Sequence, residues 1–459
     1  MSENHSTADA LKQRKILRKS NPKTVNDFRP ISVTSCVCRI FERIIRNAIQ
    51  CFLNNNLYLN VSQHGFIKGR STMTTHLTYA NDISNALDCG LCVDCAYFDF
   101  SKAFDSVRHD YLVHKLSKAG ISGSVLNWII NYLQNRTQFV NINGVLSTER
   151  QVSSGVVQGS VLGPLLFTIF VNDIDEHITN SVILKYADDV RIYRCFESDI
   201  TNQRLNASLM QNDVNALTTW SETWDLKFNI NKCCILHYGR CNFKATYKIG
   251  DTQIVSRNHE KDLGVLFSSK FDFNDHLVKI IKKANQKLGI IARLFKNKNS
   301  RNIIPLYVTI VRPLLEYNSA IWAPITKKYD QQIEKVQKKM LKLLSDVEDL
   351  PYQQKLKKVK LLSLRARRIQ QQLTIVFKMK NNLIDLRFDD FFKKNNYKKT
   401  RGNLYKLVIP KSRTKVHKGF FVNAIVKHWN NLKSSEINVR TCRLFKTKVL
   451  NYFSREKIW

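Results

Sequence analysis

Hydrophobic positions along the chain change period from strand-like to helical. Leu91–Phe100 is a run of β-branched and aromatic residues that predicts a buried strand. Gln138–Ile142 and Val145–Glu149 flank Asn143-Gly144, whose two residues tolerate positive φ, so a tight hairpin is predicted there. Pro164 opens a predicted helix through Asp173, where a missing N–H does no harm. Val182–Ala187 and Val190–Phe196 read as two strands meeting at Asp188-Asp189. A helix over Asn202–Trp224 and short strands around Ile235–Tyr238 and Leu263–Phe267 follow. From Asn274 onward the pattern is almost entirely helical with a Lys-rich surface.

Composition narrows the function classes. The 459 residues are enough for roughly two to four domains. With 43% hydrophobic residues and 8 prolines, the chain is one that folds. Its 73 Lys+Arg against 37 Asp+Glu leave a net +36, which calls for a polyanionic partner, nucleic acid first and an anionic membrane surface second. The longest apolar run, Val161–Val171, contains Gly163 and Pro164 and is about half the length needed to span a bilayer. The polar start MSENHSTADALKQRK has no signal core, so the protein is expected to be intracellular, in nucleus or cytoplasm, with its 11 cysteines reduced. Residues 351–459 hold 28 Lys+Arg and 5 Asp+Glu, a net +23, so a catalytic body followed by a cationic helical arm is expected.

The sharpest chemical signal is Tyr186-Ala187-Asp188-Asp189. Adjacent carboxylates in a turn between apolar strands repel each other, and a divalent cation would offset that repulsion. Asp99 ends a predicted strand in YFDFSKAFD and could meet Asp188 if the two strands are neighbours. Three such carboxylates make a hard-oxygen donor set suited to two Mg²⁺ ions, with Mn²⁺ as a substitute. Asp105 and Asp94 are rivals; Asp105 better fits a helix cap. Cys89, Cys92 and Cys95 form C-x2-C-x2-C, but no fourth ligand lies at a suitable distance and the run enters a strand.

FDFSKAFDSVRHDYLVHKLSKAGI, SGVVQGSVLGPLLFTIFVNDI, YADD and LKFNINK resemble, in order, polymerase motifs A to D of non-LTR, jockey-like reverse transcriptases. RPISVTSCVCRIFERII and QHGFIKGRST resemble the preceding fingers motifs, and KDLGVLF resembles the motif that supports the primer. YVTIVRPLLEYNSAIWAP, IEKVQKKMLK, LLSLRARR and FFVNAIVKHWNNL resemble the thumb and C-terminal segments, so the likeness covers about residues 20–450. It implies an α+β, right-hand polymerase: polar segment 1–24, fingers 25–90, antiparallel palm 91–270, helical thumb 271–350 and basic helical region 351–459.

The resemblance further implies metal binding by Asp99, Asp188 and Asp189, and protonation or stabilisation of pyrophosphate by Lys232. Phe104 matches the bulky residue that excludes a ribose 2′-hydroxyl; RNA polymerases of similar layout carry a carboxylate there. Gln158 and Gly159 match the loop against the nascent base pair. Arg29, Lys68 and Arg70 fall in the fingers motifs, as contacts to triphosphate or template backbone or, equally, as surface cations. The implied partners are an RNA template, a DNA primer, their duplex and dNTPs, with no membrane. Relatives of this kind carry an upstream endonuclease that the sequence does not display, so a fragment, a truncated copy or a separate gene is expected. Two readings stand: an active RNA-templated DNA polymerase, or a silent relic or co-opted nucleic-acid-binding protein of the same fold.

Overall fold

The structure, a computed structural model, describes residues 11–17, 28–134, 136–142, 145–323, 326–395 and 405–458. Its centre is a five-stranded sheet in the order Val255–Ser256, Cys234–Tyr238, Cys92–Asp99, Asp189–Phe196, Val182–Tyr186. All neighbours are antiparallel except Val255–Ser256, which runs parallel to Cys234–Tyr238. Alternation along the central strand sends Val93 and Cys95 to one face and Ala96 and Phe98 to the other. Both faces are covered, which is why Leu91–Phe100 reads as a mostly apolar run, interrupted by Asp94 and Asp99.

One face packs on helices Gly163–Phe170 and Ile200–Thr223, with Leu166, Phe170, Leu217 and Trp220 at 0 or 1% exposure. The second face meets helix Thr72–Cys89. That helix starts with a capping box between Ser71 and Thr74 and stops at Gly90 in the left-handed conformation. Although the sequence reading put it with the fingers, its Leu77, Tyr79, Ala80 and Ile83 pack beneath the central sheet.

A second five-stranded sheet joins Leu11–Leu17 and Phe28–Val33 to Thr137–Ile142, Val145–Leu146 and Arg150–Gln151. Ile142 pairs with Val145, as a hairpin requires, while Asn143-Gly144 itself lies outside the described residues. Leu11–Leu17, read from sequence as part of a polar segment, is a strand. It pairs antiparallel with Phe28–Val33 and parallel with Thr137–Ile142, so backbone hydrogen bonds on both sides define it.

From Asn274 the chain is helical: Asn274–Leu294, Lys327–Lys342, Leu364–Lys380, Phe421–Asn430 and Cys442–Arg455 are the longer pieces. The region 351–459, expected as a cationic helical arm, is helical and packs against earlier helices. Phe377 stacks on Phe445 at 4.4 Å, and Trp429, Phe445 and Phe453 share one core with Leu288, Met340 and helix Thr72–Cys89. Asp88 of that helix accepts the N–H groups of Arg413 (2.9 Å) and Thr414 (2.7 Å). The positive charge therefore sits on the surface of a packed unit. No helix among the described residues is long and apolar enough to cross a membrane.

Candidate active site

The site forms where strand Cys92–Asp99 of the central sheet ends and its neighbour Asp189–Phe196 begins. Register pairs Asp99 directly with Asp189, and Tyr186 with Asp189 across the hairpin, leaving Ala187-Asp188 as a two-residue turn. Directly opposed residues of an antiparallel pair project to the same side, and like charges there are mutually unfavourable. Lys232 offsets this repulsion: its ammonium ion-pairs with the Asp99 carboxylate. The pairing arises because 227–229 follows the end of the Cys92–Asp99 strand. Ser101 N–H donates to Lys227 O (2.8 Å), and Asn229 N–H donates to Asp99 O (2.7 Å).

Asp99, Asp189 and Lys232 line a cavity of about 250 Å³ together with Arg257, Glu260 and Asp262. Arg191 also lines it and is buried. It forms an ion pair with Asp262, donates to Thr75 Oγ1 (2.6 Å) and lies over the Tyr79 ring at 4.6 Å. Among the described residues no three His, Cys, Asp or Glu side chains are gathered closely enough to hold a metal ion as they stand. The donor set of Asp99, Asp188 and Asp189 nevertheless fits a hard divalent cation in chemistry, and the register brings Asp99 and Asp189 face to face. Of the rival carboxylates, Asp94 is fully buried and accepts from Tyr247 Oη (2.5 Å) and Asn242 Nδ2 (2.8 Å), with His237 Nδ1 at 2.7 Å. Those partners commit it to holding the sheet together. Among the described residues the cysteine run does not gather into a metal-holding group: Cys89 is exposed, Cys92 and Cys95 are buried, and all are free thiols.

Phe104 lies in the short helix Ala103–Ser106, stacked on Phe167 (4.4 Å) and edge-on to Phe66 (6.2 Å). Gln158 passes its carbonyl to Ser32 N–H (2.8 Å), and Gly159 adopts φ 104°, which favours glycine. Lys68 is exposed. Arg29 stands opposite Ile16 in the N-terminal sheet, and its side chain lies outside the described residues. Arg70 is engaged by the protein itself: Nη1 donates to Asn60 O (2.7 Å) and Gln63 O (2.6 Å), and Nε to Asp385 (2.6 Å).

Two residues near the site escaped the sequence reading. Glu42 is 0% exposed and accepts the N–H groups of Val161 (2.6 Å) and Leu162 (2.9 Å), at the start of helix Gly163–Phe170. Gln63 accepts the Ala187 N–H. The signal for Gln63 was its place in the quoted QHGF; Glu42 had none beyond a lone acid in an apolar helix.

The family model for reverse transcriptase (RNA-dependent DNA polymerase) matches residues 17–287, and the chain belongs to that family. Over 333 residues it is 26% identical to the probable RNA-directed DNA polymerase from transposon BS of Drosophila melanogaster, covering 70% of this chain and 36% of that protein. Over 336 residues it is 25% identical to the RNA-directed DNA polymerase from mobile element jockey of the same species, covering 71% and 36%. An apo telomerase structure from Candida Tropicalis overlaps 76% of this chain and 59% of its own at a TM-score of 0.43 and 11% identity. The likeness to jockey-type, non-LTR elements expected from the motifs is borne out by these relatives. The chain spans about a third (36%) of the length of the curated relatives it matches.

Proposed function

We propose that this protein is an RNA-directed DNA polymerase of non-LTR retrotransposon type, which extends a primer 3′-hydroxyl with dNTPs on an RNA template. The observation that carries this reading is Asp99 opposite Asp189 beside the Ala187-Asp188 turn, with Lys232 on Asp99. The central sheet serves as palm and the N-terminal sheet with helix Cys36–Asn55 as fingers. The helices from Asn274 serve as thumb, and the basic helical region from 351 follows. Asp99, Asp188 and Asp189 would hold two Mg²⁺ ions, or Mn²⁺ in their place, and such ions acidify a primer hydroxyl and stabilise leaving pyrophosphate.

The remaining roles belong to the chain itself. As the primer 3′-oxygen bonds to the α-phosphorus its hydroxyl proton passes to water, the bond from that phosphorus to the pyrophosphate oxygen breaks, and Lys232 supplies a proton to the leaving group. The Phe104 ring, held by Phe167 and Phe66, blocks a 2′-hydroxyl and selects deoxyribose. Gln158 and Gly159 lie against the new base pair. The exposed Lys68 and the Arg29 strand supply cations toward phosphates, whereas Arg70 acts as an internal clamp. The cationic helices hold the RNA–DNA duplex through its phosphates, independent of sequence. The protein acts inside the cell without a membrane.

Primer extension on an RNA template with Mg²⁺ and dNTPs, comparing wild type with Asp188→Asn, tests the reading. Extension should occur and be lost in the variant. A folded, RNA-binding wild type that does not extend would place the chain with silent or co-opted nucleic-acid-binding relatives. Equal extension by Asp188→Asn would overturn the carboxylate assignment.

A further inference from the structure

Ser62–Gly65 lies along the edge strand that leads into the Ala187-Asp188 turn. His64 N–H donates to Lys185 O (2.8 Å) and Lys185 N–H to Ser62 O (2.8 Å), so Gln63 and Lys185 form a one-residue parallel bridge. From there the fully buried Gln63 reaches back: its Oε1 accepts the N–H of Ala187 (2.9 Å) and of Gly65 (2.8 Å). Both neighbours are donors, so only the amide oxygen can face them.

Ala187 needs that contact. It is 5% exposed, which denies its N–H easy access to water, and it adopts φ 59°, a left-handed conformation that disfavours a residue other than glycine. The approach is close. A Cβ at Gly65 would stand 2.4 Å from the Ala187 nitrogen, so any side chain there would drive the turn away. The loop is braced from behind, where Arg70 holds the carbonyls of Asn60 and Gln63 and pairs with Asp385. It then continues to Phe66, whose ring meets that of Phe104.

We propose that Gln63 is a positioning residue. By accepting the Ala187 N–H it fixes the backbone of the turn that carries Asp188 between the paired Tyr186 and Asp189, and so sets the spacing of the carboxylates. The inference rests on the polymerase reading above and assigns to QHGF a role outside substrate contact. It predicts that Gln63 governs how tightly the site takes a divalent cation before any chemistry occurs.

The test compares Gln63→Met, which keeps length without the acceptor, with Gln63→Glu, which keeps an acceptor oxygen, and with Gly65→Ala. Thermal melting and binding to an RNA–DNA duplex establish that each variant is folded. Mn²⁺ affinity is read by electron paramagnetic resonance, and the Mg²⁺ concentration for half-maximal extension is read separately. Gln63→Met and Gly65→Ala should bind Mn²⁺ about tenfold more weakly and need correspondingly more Mg²⁺, as loss of an outer support to a metal ligand commonly does. Duplex affinity should be unchanged, and Gln63→Glu, which keeps the acceptor but adds a buried carboxylate, should fold and extend a primer at saturating Mg²⁺. Wild-type Mn²⁺ affinity in Gln63→Met would overturn the proposal. So would a Gln63→Met that fails to fold while Gln63→Glu folds, because the residue would then serve the fold as a whole. A wild type that binds duplex but neither takes Mn²⁺ nor extends a primer would instead sink the polymerase reading.

Discussion

Glu42 and Leu162 lie 120 positions apart, yet the buried Glu42 carboxylate accepts the Leu162 N–H at 2.9 Å and the neighbouring Val161 N–H at 2.6 Å. These groups belong to the N-terminal end of helix Gly163–Phe170, where unpaired donors and the helix dipole favour an anion. The loop just before it carries Gln158 and Gly159. Glu42→Gln should destabilise the protein by about 1–2 kcal/mol, and Glu42→Ala by about 3 kcal/mol because both donors lose their partner. Denaturant unfolding checks the stability. In primer extension the Gln variant should raise KM for dNTP more than it lowers kcat. An unchanged KM would show that the loop is placed without Glu42.

Lys232 ion-pairs with Asp99, so a divalent cation held as proposed would compete with its ammonium for the same carboxylate. Lys232→Met should therefore lower the Mn²⁺ concentration that half-saturates the protein. It should also cut the maximal extension rate by about a hundredfold, the usual contribution of a placed proton donor. Metal titration and single-turnover kinetics separate the two effects. Movement of both in the same direction as activity would leave the ammonium as a simple ligand-site support.

Phe104→Val should raise ribonucleotide incorporation relative to deoxyribonucleotide while the enzyme still extends. The shortened side chain also loses its stack on Phe167, so a stability loss of about 1–2 kcal/mol is expected at this half-buried position. An unchanged dNTP to NTP ratio in competition assays would remove the gate from Phe104.

Buried histidines set an acid limit. Burial pushes His64 down to about 3, with Arg70 and Arg191 adding to the effect. Burial likewise pushes His276 down to about 4, with Lys279 and His76 adding to the effect, and its Nδ1 accepts the Leu266 N–H. Their ordinary value is 6.5. Above that pH neither the folded nor the unfolded chain protonates them, and the stability is fully present. As pH falls from about 6.5 toward about 4, the unfolded chain takes up protons that the native one refuses, costing at most ~1.4 kcal/mol per pH unit for each ring. Unfolding midpoints measured from pH 7 to 5 should drop, and His276→Gln should flatten that drop.

Much of the centre was legible because it is patterned. The Cys92–Asp99 and Asp189–Phe196 strands are apolar on both faces, and a sheet covered on both sides writes that directly into sequence. The pairing of Asp99 with Asp189 needed register, which no single strand encodes. Glu42 was hidden by a misleading helix. Cys36–Asn55 buries Glu42, Ile49 and Leu53 while Val37, Ile40, Phe41 and Ile44 remain 54 to 64% exposed, so periodicity points the apolar stripe the wrong way. Leu11–Leu17 was missed for a similar reason: its Lys, Gln and Arg carry no strand pattern, and only its neighbours' backbones specify it. Arg70 reads from sequence equally as a phosphate contact or a surface cation, because sequence shows the charge but not the carbonyls it holds.

The shared core of the C-terminal helices has a consequence for how the protein handles long polyanions. Lysines on a tethered tail would sample many distances from the Ala187-Asp188 turn, and their attraction would be averaged over that motion. Here the cationic surface from 351 is mounted, through Phe377, Trp429, Phe445 and the Asp88 contacts with Arg413 and Thr414, on the same packed unit as the helix beneath the active-site sheet. Its charges therefore keep a set distance from the Ala187-Asp188 turn. A duplex held as proposed would be measured against a fixed ruler, and the phosphate register at its far end would bear on where the primer terminus falls.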